Sequence, residues 1–122
     1  MPEKKAEKQT DLSKEERIER EEKRLRGVFR QLDKNKLKVV GPLIERAAFY
    51  AVSLAELEEI INAEGYTEQY QNGENQKGVK RTAAVDIHLQ MTKNYTAITK
   101  QLAELAPEAP KKDSKLKAFN RR

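Results

Sequence analysis

The stretch that decides the fold is Lys38–Gly65, "KVVGPLIERAAFYAVSLAELEEIINAEG". Val39, Val40, Leu43, Ile44, Ala47 and Ala48 keep the 3.6-residue spacing of a helix buried on one face. Two features interrupt it. Gly41–Pro42 sits inside the apolar pattern, where a proline removes a backbone donor and clashes with the preceding turn, so a kink or restart is expected there. Ser53 and Glu56 then spell a capping box, "SLAE", which normally opens a new helix. The reading is therefore two helices, 36–51 capped by Asn35 and 54–64 ended by Gly65, with a turn at Val52–Ser53.

Upstream, "SKEE" at Ser13–Glu16 is another capping box and starts a helix over 14–32. Glu16–Arg20, Glu19–Lys23 and Glu22–Arg26 are acid-before-base pairs four residues apart, the favourable order. Ile18 is the lone apolar anchor in the first half of this helix. Leu25, Val28, Phe29 and Leu32 share a face in the second half. The helix is expected to project and to dock only by its C-terminal half. Residues 1–12 are polar and expected to be disordered.

Downstream, Tyr66–Arg81 is a polar loop rich in glycine and amides, containing "YQNGENQKG" (Tyr70–Gly78). Asn72–Gly73 favours a type I′ turn, so this segment can close as a short hairpin, although its arms lack apolar alternation. Thr82 caps a final long helix, 83–106, which Pro107 stops. Ile87, Met91, Tyr95, Ile98, Leu102 and Leu105 form its stripe. Helices of this size offer limited area to cover it, so Ile87, Met91, Tyr95, Ile98 and Leu102 are candidates for packing against another copy. Residues 107–122 form a basic tail. The expected fold class is all-α, with one helical domain over 13–106.

Composition narrows the function. The 122 residues carry a net charge of +5, no cysteine, and 37% charged against 37% hydrophobic residues. Disulfides and thiolate metal sites are excluded. No apolar run reaches the roughly 20 residues of a membrane span. Charge is +2 over residues 1–34, −2 over 35–65, +1 over 66–82, 0 over 83–106 and +4 over 107–122. No metal-ligand spacing, phosphate-cradling loop or nucleophile elbow is present, and the one histidine, His88, reads as a surface or interface residue. No catalytic residue, metal or cofactor is assigned.

Residues 36–64 have the lengths of a helix-turn-helix, but the second helix, "LAELEEIINAE", carries four glutamates and no base. Phosphates would repel it, and it lacks the usual readers of base edges. The cationic candidates lie elsewhere: Arg26, Arg30 and Lys34 one turn apart, Lys36 and Lys38 after them, and Lys77, Lys80 and Arg81 before the last helix, whose N-terminus favours anions. Copied around an oligomer, such weak clusters add up.

The segments "RLRGVFRQLDKNKLKVVGPLIERAAFYAVSLAELEEIINAEG" (Arg24–Gly65), "EQYQNGENQKGVKRT" (Glu68–Thr82) and "KNYTAITKQLAEL" (Lys93–Leu105) resemble the phage terminase small subunit family of tailed phages and prophages of Gram-positive hosts. The resemblance covers about Arg24–Leu105, and the amide-glycine block before the long helix is its most distinctive part. Gly41–Pro42 departs from the family pattern and leaves the straightness of that helix open. The resemblance implies a homo-oligomeric ring that binds double-stranded phage DNA at the packaging start site. It implies delivery of that DNA to the large subunit, which holds the ATPase and nuclease, in the host bacterial cytoplasm. By the same resemblance the tail, with Lys111, Lys112, Lys115, Lys117 and Phe119, contacts the large subunit. The loop is an interface strap, a DNA-facing rim whose Asn and Gln side chains can contact backbone or bases, or a plain connector. The rival expectations are a small helix-turn-helix regulator and a helical adaptor that binds only protein.

Overall fold

A computed structural model describes residues 12–71, 73–74 and 76–107. In chain order they form α1 (Lys14–Val28), α2 (Lys34–Glu64), β1 (Thr67–Gln71), β2 (Lys77–Arg81) and α3 (Ala83–Leu105). The N-terminal segment over residues 1–11 lies outside the described residues. So does the tail from residue 108, with Lys111, Lys112, Lys115, Lys117 and Phe119.

α1 begins as its sequence requires. The Glu16 N–H donates to Ser13 Oγ at 3.1 Å, and the Ser13 N–H donates to Glu16 Oε1 at 2.9 Å. These bonds, the Ser13 backbone one foremost, hold the Glu16 carboxyl below the usual carboxylate range. The helix ends at Val28, short of the expected Leu32. Phe29 leaves helical geometry (φ −101°, ψ 10°) and is 2% exposed, so its ring turns into the core. Asp33, not Asn35, then caps α2: its Oδ1 accepts from the Lys36 N–H at 2.9 Å. Arg30 therefore lies in the connecting turn and Lys34 opens α2, rather than both extending the Arg26 face.

The main correction concerns α2, a continuous helix of 31 residues. There is no restart at Gly41–Pro42 and no turn at Val52–Ser53. Pro42 costs an interior helix about 3 kcal/mol. Val40 and Ile44, two residues to either side, are each 1% exposed, and burying each contributes roughly 1.5–3 kcal/mol. Packing on both sides of the proline offsets its cost. At the second expected break, Val52, Ser53 and Leu54 are all buried. Three consecutive buried positions face most of the way round a helix. Such burial arises where α1 and α3 flank α2, and it holds the helix through Ser53. Glu56, expected to complete a capping box, instead pairs with Lys14 Nζ at 3.1 Å.

Ser53 Oγ is buried and has no hydrogen-bond partner among the described residues. Ser53→Ala is therefore expected to leave stability unchanged or raise it by about 0.5 kcal/mol, since alanine is the better helix former and carries no unmet hydroxyl. An N-cap serine would instead lose about 1 kcal/mol. Chemical denaturation of the two proteins separates these cases.

α1 does not project. It lies antiparallel along α2, with Lys14 on Glu56 at one end and Arg26 on Glu45 at 3.6 Å at the other. Lys14 Nζ sits 5.0 Å from the Phe49 ring centroid. Arg17, between these ends in sequence, is buried, and its Nε has no hydrogen-bond partner among the described residues. Lys14, paired with Glu56 and set against Phe49, ties down the half of α1 that is poor in apolar residues, so that half docks as well.

α3 returns antiparallel to α2. His88 Nε2 meets Glu58 Oε2 at 3.0 Å, and Asn94 Nδ2 donates to the Tyr50 hydroxyl at 3.4 Å. Phe29, Val40, Ile44, Ala47 and Leu102 make the core, bordered by Leu25, Leu32, Leu43, Tyr95, Ile98 and Leu105. It sits where the α1–α2 turn meets the end of α3.

The expected polar loop is an antiparallel hairpin, so the described fold is mostly helical with one two-stranded ribbon. Register runs from Thr67↔Arg81 to Gln71↔Lys77. That leaves residues 72–76 as the connection, too long for the two-residue type I′ turn expected at Asn72–Gly73, and Asn72 is not among the described residues. Gly65, at φ +88°, ends α2 in a conformation that side-chain-bearing residues rarely adopt. Thr82 ties the ribbon's base. Its N–H donates to the Tyr66 carbonyl at 3.0 Å and its Oγ1 accepts from the Val85 N–H at 3.4 Å, capping α3. Thr82→Ala is expected to cost about 1 kcal/mol, read as a lower denaturation midpoint.

Candidate nucleic-acid interface

α2 separates the cationic candidates into two groups. Arg30, Lys34, Lys36 and Lys38 are exposed at its N-terminal end, and Lys77, Lys80 and Arg81 lie beyond its C-terminal end. Thirty residue steps at 1.5 Å place these groups about 45 Å apart. They do not converge on one surface of a single chain.

At the first end, three lysines occupy the opening turns of α2, and its first turn holds no acid. The positive end of the helix dipole adds to their charge, so the arrangement is unfavourable alone and attractive to an anion. Arg30, Lys34, Lys36 and Lys38 form no ion pair among the described residues. Arg26 differs: it is half-exposed and shared between Glu22 at 3.8 Å and Glu45 at 3.6 Å, which fixes it to the α1–α2 seam.

At the second end, strand alternation sorts the side chains onto two faces. Glu68, Tyr70, Gly78 and Lys80 share one of them. There Lys80 Nζ lies 3.6 Å from Glu68 and 5.8 Å from the Tyr70 ring centroid. The Tyr70 ring covers Gly78 so closely that a Cβ would stand 2.7 Å from its hydroxyl. This face is satisfied within the ribbon. The other face presents Thr67, Gln69, Gln71, Lys77, Val79 and Arg81, all exposed. Arg81, at its foot, is held by Asp86 of α3 at 3.0 Å. Lys77, near the tip, forms no ion pair among the described residues. The sequence points to the loop's Asn and Gln side chains as a class without singling out Gln69 and Gln71, and it gives no sign of Val79. The hairpin's arms carry no alternation of polarity, so only the strand geometry and its register show that these three residues share a face.

The apolar stripe of α3 divides. Leu102 is buried in the chain's own core, and Tyr95 and Ile98 pack against it. These three serve the single chain rather than standing free for another copy. Ile87 is 46% exposed and Met91 half-buried. With Phe49, Tyr50, Asp86, Gln90 and Asn94 they line a shallow depression of ≈ 340 Å³ between α2 and α3. Phe49, 43% exposed, was not anticipated, because its position on α2 lies off the expected stripe. His88 bridges α3 to α2 through Glu58, with Thr92 Oγ1 3.5 Å from its Nδ1.

Among the described residues, no helix is long and apolar enough to cross a membrane. Compared with protein-family models, with curated proteins and with solved structures, the chain finds no match.

Proposed function

We propose that this chain is a phage terminase small subunit. In this reading it binds double-stranded DNA at the packaging start site and hands it to the large-subunit motor in the bacterial host. The sequence resemblance over Arg24–Leu105 supports it. The structural observation that carries it is the arrangement of charge: exposed cations at both ends of a rod about 45 Å long, with an exposed apolar depression around Phe49, Ile87 and Met91 between them. One chain offers only a few phosphate contacts at either end. Copies associated through the depression would bring like ends together into continuous cationic rims, converting weak contacts into useful affinity. A closed ring requires a heterologous contact of this kind, one surface of a copy on a different surface of the next.

The helix-turn-helix alternative loses its geometric basis, because residues 34–64 form one helix with no turn to set a recognition helix apart.

Native mass spectrometry with and without duplex DNA tests the reading. Closed oligomers that retain DNA are expected. A monomer in both conditions, with no bound DNA, would exclude it. Oligomers that ignore DNA would favour the adaptor.

A further inference from the structure

We infer that the hairpin enters the major groove of duplex DNA and reads base edges with Gln69, Gln71, Lys77 and Val79. This inference rests on the DNA-binding reading above and deepens it, since that reading requires only phosphate contacts.

Four observations carry it. First, the ribbon stands on a firm base: Thr82 joins it to the end of α2 and the start of α3. Second, its dimensions fit. Paired strands about 4.8 Å apart enter a groove about 12 Å wide, which admits a two-stranded ribbon. Third, the outward face carries no carboxylate among the described residues. Glu68 lies on the opposite face with Lys80, Asp86 is engaged by Arg81 at the foot, and Glu74 sits in the connection. Fourth, the residue types match the donors and acceptors of that groove. A glutamine amide can donate to adenine N7 and accept from its N6 amine, lysine donates to guanine O6 and N7, and valine methyls pack on the thymine methyl.

Val79, 64% exposed, is the one large apolar side chain on this face. A protein groove would recognise a broader apolar surface, and a partner strand would use the ribbon's edges and leave the amides of this face idle. The opposite face explains why the ribbon holds its shape outside a larger sheet. Tyr70 over Gly78, with the Lys80–Glu68 pair beside it, makes cross-strand contacts that a bare hairpin lacks.

The test uses the full chain and a library of short random DNA duplexes, with sequencing of the bound fraction and guanine N7 methylation interference. The ribbon reading expects an enriched motif, and a loss of occupancy of about tenfold to a hundredfold when a guanine within it is methylated at N7. Gln69→Ala combined with Gln71→Ala should flatten the motif at its adenines. The methylation result comes from the unaltered chain, so it stands even if that variant loses its hairpin. Double-stranded RNA, whose major groove is too deep and narrow to enter, should bind markedly less well. Binding without an enriched motif and insensitive to N7 methylation would overturn the ribbon reading while leaving phosphate binding intact. Equal affinity for double-stranded RNA would do the same. Silence of the unaltered chain toward every duplex would overturn both readings together.

Discussion

Replacing Lys77, Lys80 and Arg81 together by Gln is expected to weaken binding to duplex DNA by roughly a hundredfold at 0.1 M salt. Each phosphate contact contributes about one to the salt slope, and Lys80 and Arg81 must first give up Glu68 and Asp86, so the slope should flatten by about one to three for each engaged subunit. The partners left behind are exposed. Glu68 is half-exposed, as is Asp86, and surface pairs of this kind contribute at most about 1 kcal/mol. Folding should survive, and circular dichroism should show an unchanged helix signal. The same substitutions should leave the oligomer largely intact: none of the three lines the Phe49–Ile87–Met91 depression, and the Asp86 carboxylate at its edge, released by Arg81, is about half exposed. Fluorescence anisotropy on a labelled duplex measures the loss. An unchanged affinity would remove the hairpin from the interface.

Ile44→Ala is expected to act on the fold instead, at a cost of about 2–5 kcal/mol. Ile44 is 1% exposed in the N-terminal half of α2, among Phe29, Val40, Ala47 and Leu102. The core is small, and the total stability of such a domain is about 5–15 kcal/mol, so a large share goes with one side chain. At about 4–8 °C per kcal/mol for a domain of this size, the melting temperature should fall by 10 °C or more. Ile87→Asp makes the informative contrast. Its side chain is already nearly half exposed, so the single chain should keep its melting behaviour while self-association weakens. Ile98 cannot serve in that comparison, because it packs on the core and its replacement would unfold the chain before it separated copies.

Local chemistry made some of the fold legible in advance. The Ser13–Glu16 box and the Thr82 cap depend on neighbouring residues alone, and both stand where the sequence put them. The end of α3 falls within one residue of the position Pro107 implies. The α2 breaks were misread for a physical reason. "SLAE" contains everything a capping box needs, yet whether Ser53 leaves helical geometry depends on what surrounds it. Val52, Ser53 and Leu54 are enclosed together, a fact of tertiary packing that no window of sequence holds. Arg17 teaches the same lesson from the other side. A charged residue among charged neighbours reads as solvated, yet Arg17 is buried on a helix that packs against α2.

The candidate interface was legible in part. Arg30, Lys34, Lys36, Lys38 and Lys77 are all exposed, although Arg30 and Lys34 do not stand on the first helix as the sequence suggests. Their division between two ends depends on the continuity of α2. The reading face of the hairpin depends on the pairing of Gln69 with Val79 and of Gln71 with Lys77. Neither relation can be obtained without the fold.

The central claim is that exposed lysines and arginines, pooled over associated copies, hold the phosphates of duplex DNA. Affinity measured between 50 and 200 mM salt tests it most directly. A linear fall of log affinity with log salt is expected, amounting to about a thousandfold or more across that interval if six or more phosphates are engaged. An affinity that stays level over the same range would contradict it.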